Sequence, residues 1–141
     1  MDGRFEGNSI VVDLKITSPL IDAAAKTLPV IVDTGCSGDL ILTYTEAFPL
    51  ALTLVGLQEY TIADGSRVTF FECLGKVRFG EKTVLSSVSI RPSGFLLMGI
   101  SLMKKLGIRL EVDFVNQSVK FFEIPIPNLP QNSRATSKKE K

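Results

Sequence analysis

Hydrophobic and polar residues alternate along most of this chain with a period of two. In residues 9–16, SIVVDLKI, every second position is aliphatic, and Asp13 and Lys15 occupy the opposite face. Such alternation is typical of β-strands that are buried on one side. The same pattern predicts further strands at 28–32, 39–43, 59–63, 67–74, 76–79, 82–90, 109–114 and 119–124.

The turns between these strands predict hairpins. Asp64-Gly65-Ser66 joins 59–63 to 67–74, and Gly80-Glu81 joins 76–79 to 82–90. Only two stretches have a helical pattern, namely 45–52, which Pro49 interrupts, and 101–106, which Gly107 ends as a C-cap. Many short strands at close intervals predict an all-β fold, either a sandwich or a barrel.

The end of the strand pattern predicts a domain boundary. After Ile124, prolines at 125, 127 and 130 prevent a continued strand ladder. We therefore predict a folded domain at 1–124 and a proline-containing, basic, disordered tail at 125–141. A chain of 141 residues, 45% of them hydrophobic, fits one such domain without a second.

Charge and apolar runs give expectations about partners and location. The net charge is +1, and the tail segment 131–141 alone carries +3, so the domain is weakly acidic. This composition predicts neither nucleic acid nor membrane as a partner. The N-terminal residues lack a signal pattern, and no apolar run approaches the roughly 20 residues of a membrane span, so a cytoplasmic location is expected.

Residue types limit the possible chemistry. The chain has no histidine, which excludes Ser-His-Asp and Cys-His catalysis and most zinc sites. We predict no metal and no cofactor. Cys36 and Cys73 form no disulfide framework, although a single bridge between them stays open at this point.

The triplet Asp33-Thr34-Gly35 stands between apolar runs, where a carboxylate must be satisfied or used chemically. An Asx turn is one interpretation, with the Thr34 hydroxyl as a donor and Gly35 adopting backbone angles closed to other residues. A second feature, 95–106, places Gly99 between an apolar strand and a short helix. Alone, that feature is a simple strand-to-helix junction.

Together these motifs resemble the retropepsin-like aspartic proteases, in particular small prokaryotic single-domain members. The similar segments are Asp33-Thr34-Gly35-Cys36-Ser37-Gly38-Asp39-Leu40, Ala63-Asp64-Gly65, 76–80 and 96–103. The resemblance covers about 5–124. Retroviral members usually have an Arg after the Gly of the second motif and an acidic partner for it, but the corresponding positions here are Ile100 and Ser37.

The resemblance implies a fold and a set of site residues. The fold would be a closed orthogonal β-barrel of the acid-protease type with one short helix on the C-terminal side. Asp33 would be catalytic. The other implied residues are Thr34, Gly35 and Cys36 in the active-site loop, Ala63, Asp64, Gly65 and Ser66 in a substrate-binding flap, and Leu97, Met98 and Gly99 in a second structural motif.

The resemblance also implies a reaction and an assembly. Aspartic proteases hydrolyse peptide bonds with two carboxyl groups that share one proton. This chain holds one Asp-Thr-Gly, so the second carboxyl would come from an identical chain in a homodimer, with a peptide or protein as substrate.

Two other functions are left open by the residues. One is an inactive dimeric β-barrel that binds peptides or mediates protein interactions. The other is an aspartyl phosphotransferase with Asp33 as nucleophile, although such enzymes alternate strands and helices, which this pattern opposes.

Overall fold

The computed structural model describes residues 2–21 and 24–124. The described residues form ten strands and two short α-helices, with the bounds β1 Asp2–Glu6, β2 Ser9–Thr17, β3 Lys26–Val32, β4 Leu40–Thr43, α1 Tyr44–Ala47, β5 Thr53–Thr61, β6 Arg67–Phe79, β7 Lys82–Arg91, β8 Leu97–Met98, α2 Ile100–Leu106, β9 Ile108–Asp113 and β10 Ser118–Glu123. A 3-10 turn, Phe48–Leu50, follows α1. The tail at 125–141 lies outside the described residues, and both domain bounds stay predictions.

Most predicted strands and both predicted hairpins are present, but β6 differs from the prediction. It is one strand of 13 residues, where the pattern predicted two strands separated at Gly75. Gly75 is buried inside the strand, and a Cβ there would lie 3.1 Å from the Leu52 side chain. Close packing, and not a turn, therefore accounts for this glycine.

The strands pair in the order β5-β6-β7-β4-β8-β3-β2-β1-β10-β9, and an additional pairing joins β6 to β2. The six strands from β6 to β2 in this order consequently form a closed ring of pairings. Within the ring, β8 pairs parallel with β3 and antiparallel with β4. The prediction of a strand-dominated fold with few helices is confirmed.

The core follows the period of two. Alternate residues of β2 from Val12 to Ile16 are fully buried, whereas those between them are exposed. Phe79 of β6 and the α2 residues Leu102 and Leu106 belong to the same buried cluster. The helix α2 is therefore part of the core packing, and it lies against β7.

The helices are short, and α2 ends where the sequence predicts. Gly107 adopts a left-handed φ of 62°, and its N–H donates to the Lys104 carbonyl at 3.0 Å. With seven residues, α2 is the longest helix described. Within the described residues, no helix has the length and apolar character needed to cross a membrane.

Candidate active site

The backbone of Asp33 continues the pairing of β3 with β8. The Ile31 N–H donates to the Leu96 carbonyl at 2.8 Å, and the Asp33 N–H donates to the Met98 carbonyl at 2.9 Å. These are successive rungs of a parallel ladder. Asp33 is therefore anchored through its backbone at the end of β3, with its side chain half-buried.

The residues after Asp33 form a tight turn. The Gly35 N–H donates to Asp33 Oδ1 at 2.9 Å, and the Cys36 N–H donates to the Asp33 carbonyl at 3.1 Å. This is the Asx turn that the sequence left open. It is compatible with a chemical role, because a carboxylate has more acceptor sites than one amide occupies. Thr34 is exposed.

Gly35 leaves space for the Asp33 carboxylate, and the interpretation that it adopts backbone angles closed to other residues was wrong. Its φ lies outside the left-handed region that favours glycine. A Cβ at this position would lie 3.2 Å from Asp33 Oδ1, which is tighter than ordinary contact. A larger residue would therefore press on the carboxylate that accepts its own N–H.

Gly99 is the point at which the second motif contacts the Asp33 loop. The N–H groups of Gly99 and Ile100 donate to the carbonyls of Asp39 and Cys36, each at 2.8 Å. A Cβ on Gly99 would lie 2.2 Å from the Gly38 carbonyl oxygen and 2.9 Å from Cys36 Sγ. Only glycine fits at position 99, and the half-buried Cys36 packs against it as a small residue. Cys36 and the buried Cys73 are both free thiols.

We expect Gly99→Ala to lower the free energy of unfolding by about 3 kcal/mol, because the new methyl group meets backbone that has to move. Gly38→Ala is the matched control. A Cβ at Gly38 has nothing within 4 Å, so its effect should stay within about 0.5 kcal/mol. Urea denaturation of both variants measures this, and equal stabilities would contradict the close contact at Gly99.

Asp39 anchors the other end of the loop through a buried ion pair. Its side chain is 3% exposed, and its Oδ2 lies 2.5 Å from Lys105 Nζ in α2. The same oxygen accepts the Ser87 N–H at 2.9 Å and the Ser87 Oγ–H at 3.2 Å. Burial tends to raise the pKa of Asp39, but the bonds from Lys105 and Ser87 outweigh burial and lower it below the ordinary 3.8.

This pair joins the segment after Asp33 to the helix after Gly99. The same two segments contain Ser37 and Ile100, at the positions where retroviral members usually have an acidic residue and its Arg partner. Sequence reasoning missed it because Asp39 and Lys105 are 66 residues apart. The available signal was an acidic residue at the start of an apolar strand, where an unpaired carboxylate is costly.

The predicted flap residues Ala63, Asp64, Gly65 and Ser66 form the exposed tip of the β5–β6 hairpin. Gly65 has φ 87°, and its N–H donates to the Ile62 carbonyl at 2.9 Å. The Ser66 hydroxyl and N–H donate to Asp64 Oδ1 at 2.6 and 2.8 Å. These bonds lower the pKa of Asp64, and the tip is an ordered turn.

The structure brings together two of the three predicted segments. The 33–36 loop contacts Leu97–Gly99 through the bonds described above. Across 2–21 and 24–124, no hydrogen bond or ion pair links the 63–66 tip to either segment. In the same part of the chain, no group of three or more cysteine or acidic side chains is arranged to hold a metal.

Comparison with known proteins identifies the fold. No family model matches the chain, and no curated protein matches it. Among solved structures it is similar to the EIAV protease complexed with the inhibitor HBY-793, with a TM-score of 0.53 and 17% identity. The similarity covers 74% of this chain and 93% of that chain. The chain therefore has a mostly β, retropepsin-like fold similar to that of the EIAV protease.

Proposed function

We propose that the chain is an aspartic endopeptidase that hydrolyses peptide bonds with a dyad formed by Asp33 from two identical chains. The observation that carries this proposal is the way Asp33 is held. Its backbone is fixed to β8, and its loop is fixed by Gly99 and by the Asp39–Lys105 pair. A rigid loop keeps a reacting carboxylate in position during the reaction.

Two carboxyl groups facing each other can supply both an acid and a base. Held close together, they share one proton, because ionising both would place two negative charges in contact. The carboxylate takes a proton from water as the water oxygen attacks the peptide carbonyl carbon. The protonated partner donates its proton to the carbonyl oxygen, which gives a neutral tetrahedral intermediate with two hydroxyl groups. The first carboxyl group then returns its proton to the nitrogen, the C–N bond breaks to release an amine, and the partner takes back a proton from one hydroxyl group as the carboxylic acid forms.

Among the described residues, the other aspartates do not occupy a position comparable to that of Asp33. Asp39 is buried against Lys105, Asp13 pairs with Arg4, and Asp64 and Asp113 lie at hairpin turns, away from β3 and β8. A two-fold axis beside Asp33 would supply an identical carboxyl group. The homodimer belongs to this proposal. The finer fold assignment, a closed orthogonal acid-protease barrel, also belongs to it and is consistent with the ring of strand pairings.

The β5–β6 hairpin is proposed to cover the bound peptide as a flap. The β5 arm, extended to Ile62, carries large apolar side chains that are 43–59% exposed, namely Leu54, Val55, Leu57, Tyr60 and Ile62. A cluster of exposed apolar side chains is typical of a contact surface. Closing the hairpin over a peptide would remove this apolar surface from water.

The test combines a peptide-library cleavage assay, analysed by mass spectrometry, with sedimentation of the same sample. We expect cleavage within peptides, inhibition by a general aspartic-protease inhibitor, and a dimer at the active concentration. Peptide binding without cleavage would favour the inactive binding module instead. A fully active monomer would exclude the shared dyad.

A further inference from the structure

Arg91, the last residue of β7, has a guanidinium group without an anionic partner. Its Nε is buried and has no hydrogen-bond partner, and its guanidinium carbon lies 4.8 Å from the centre of the Phe70 ring. None of the ion pairs formed within 2–21 and 24–124 includes Arg91. Glu72, which lies on the neighbouring strand β6, accepts the Ser89 hydroxyl at 3.0 Å.

The Arg91 side chain lines a cavity of about 290 Å³ near the tip of the β5–β6 hairpin. The other lining residues are Ile62, Val68, Phe70, Pro92 and Ser93. The walls are therefore mainly apolar, and Arg91 is the charged group among them. A site of this composition favours a ligand with an apolar stem and a carboxylate end, because a guanidinium binds a carboxylate with paired N–H donors.

Strand register places this cavity on the same side of the sheet as Asp33. One row of paired residues crosses four strands and consists of Ile31, Leu97, Ile41 and Ser89. Directly paired residues point to the same side, as do residues two apart in one strand. Asp33 lies two positions after Ile31 and Arg91 two positions after Ser89, so both face the same side.

The spacing between Asp33 and Arg91 follows from the same register. The two residues are three strand spacings apart, and each lies two positions beyond the paired row, in opposite directions. The distance between them is therefore about 20 Å or less. An extended peptide crosses this distance in roughly four to six residues. When a peptide is cut at Asp33, a residue four to six positions from the cut bond can therefore reach the Arg91 cavity.

We propose that Arg91 is a specificity-determining residue that binds an acidic side chain, Asp or Glu, of the peptide substrate four to six residues from the scissile bond. The inference rests on the proposed endopeptidase function. In a two-fold dimer each copy of Arg91 serves one side of the cut, so the preference appears on both sides.

The test compares cleavage sites in randomised decapeptide pools for wild type, Arg91→Gln and Arg109→Gln. Wild type should cleave peptides with Glu four to six residues from the cut about tenfold or more faster than their Gln counterparts, because a charged hydrogen bond is gained. Arg91→Gln should lose this preference. Arg109→Gln is the matched control, since Arg109 lies 4.8 Å from the Phe122 ring at a distant position and should leave the preference intact.

Two further measurements keep the outcomes distinct. Ser93→Glu places a negative charge on the cavity wall at an exposed position, so it should weaken the Glu preference even if Arg91→Gln fails to fold. Anisotropy with the uncleaving Asp33→Asn protein measures binding of labelled Glu and Gln pools directly. The Arg91 proposal is overturned if wild type cleaves or binds peptides without a Glu preference. It is also overturned if the preference survives in both Arg91→Gln and Ser93→Glu. In either case, cleavage by wild type leaves the protease proposal standing. If wild type shows no cleavage but the labelled pools show a Glu preference in binding, the protease proposal is overturned and acidic-residue binding at Arg91 stands.

Discussion

Replacing Asp33 with Asn is expected to lower kcat/KM for peptide cleavage by about 10³-fold or more, because acid–base catalysis by the dyad is lost. Asn is nearly isosteric with Asp, and its side-chain oxygen can still accept the Gly35 N–H that now bonds Oδ1 at 2.9 Å. Removing two facing charges also relieves repulsion, so the stability of the dimer should hold or rise.

Asp113→Asn is the matched control for this variant. Asp113 also accepts a backbone N–H two residues later, from Val115 at 3.0 Å, but it is the last residue of β9, where the β9–β10 turn begins. The measurement is kcat/KM on one soluble peptide, together with thermal unfolding of both variants. Wild-type activity in the Asp33 variant would show that Asp33 takes no part in the reaction.

Replacing Lys105 with Met is expected to lower the free energy of unfolding, because it leaves the buried carboxylate of Asp39 without its charged partner. Removing the partner of a buried charge commonly costs 3–5 kcal/mol. We expect about 2–3 kcal/mol here, because Lys105 is 43% exposed and water already screens the pair. Lys104→Met, one position earlier on the exposed side of α2, is the control and should change stability by less than about 0.5 kcal/mol.

The pH dependence distinguishes the lost charge pair from lost packing. Because the pKa of Asp39 is lowered in the folded state, the pair adds stability above about pH 4 and loses it as the pH falls through the folded pKa. Lys105→Met should remove this acid-dependent loss. The double variant Asp39→Asn, Lys105→Met should regain part of the lost stability, since no buried charge remains. Urea midpoints from pH 3 to 7 measure both effects, and a double variant no more stable than Lys105→Met would contradict them.

The alternation of apolar and polar residues predicted the strands that bury one face, but not those that depend on their neighbours. β1 contains one large apolar residue, Phe5, and it forms because it pairs with both β2 and β10. β6 passes through Gly75 because Leu52 packs against it. In both cases the decisive contacts are distant in sequence.

The candidate site was predictable in its residues but not in its supports. The short-range features, the Asx turn at Asp33 and the hairpin tip at Gly65, follow from local turn chemistry. The reason for Gly35, the fit of Gly99 against Gly38, and the Asp39–Lys105 pair depend on strands that cross in three dimensions. A period of two carries no information about such crossings.

The most direct test of the shared dyad is to mix wild type with Asp33→Asn at constant total protein and allow the chains to exchange. If each active site needs one Asp33 from each chain, only dimers with two wild-type chains are active. Activity should then follow the square of the wild-type fraction, so an equal mixture retains about a quarter of full activity. An equal mixture that retains about half would show that each chain carries a complete site, and it would contradict the proposed mechanism.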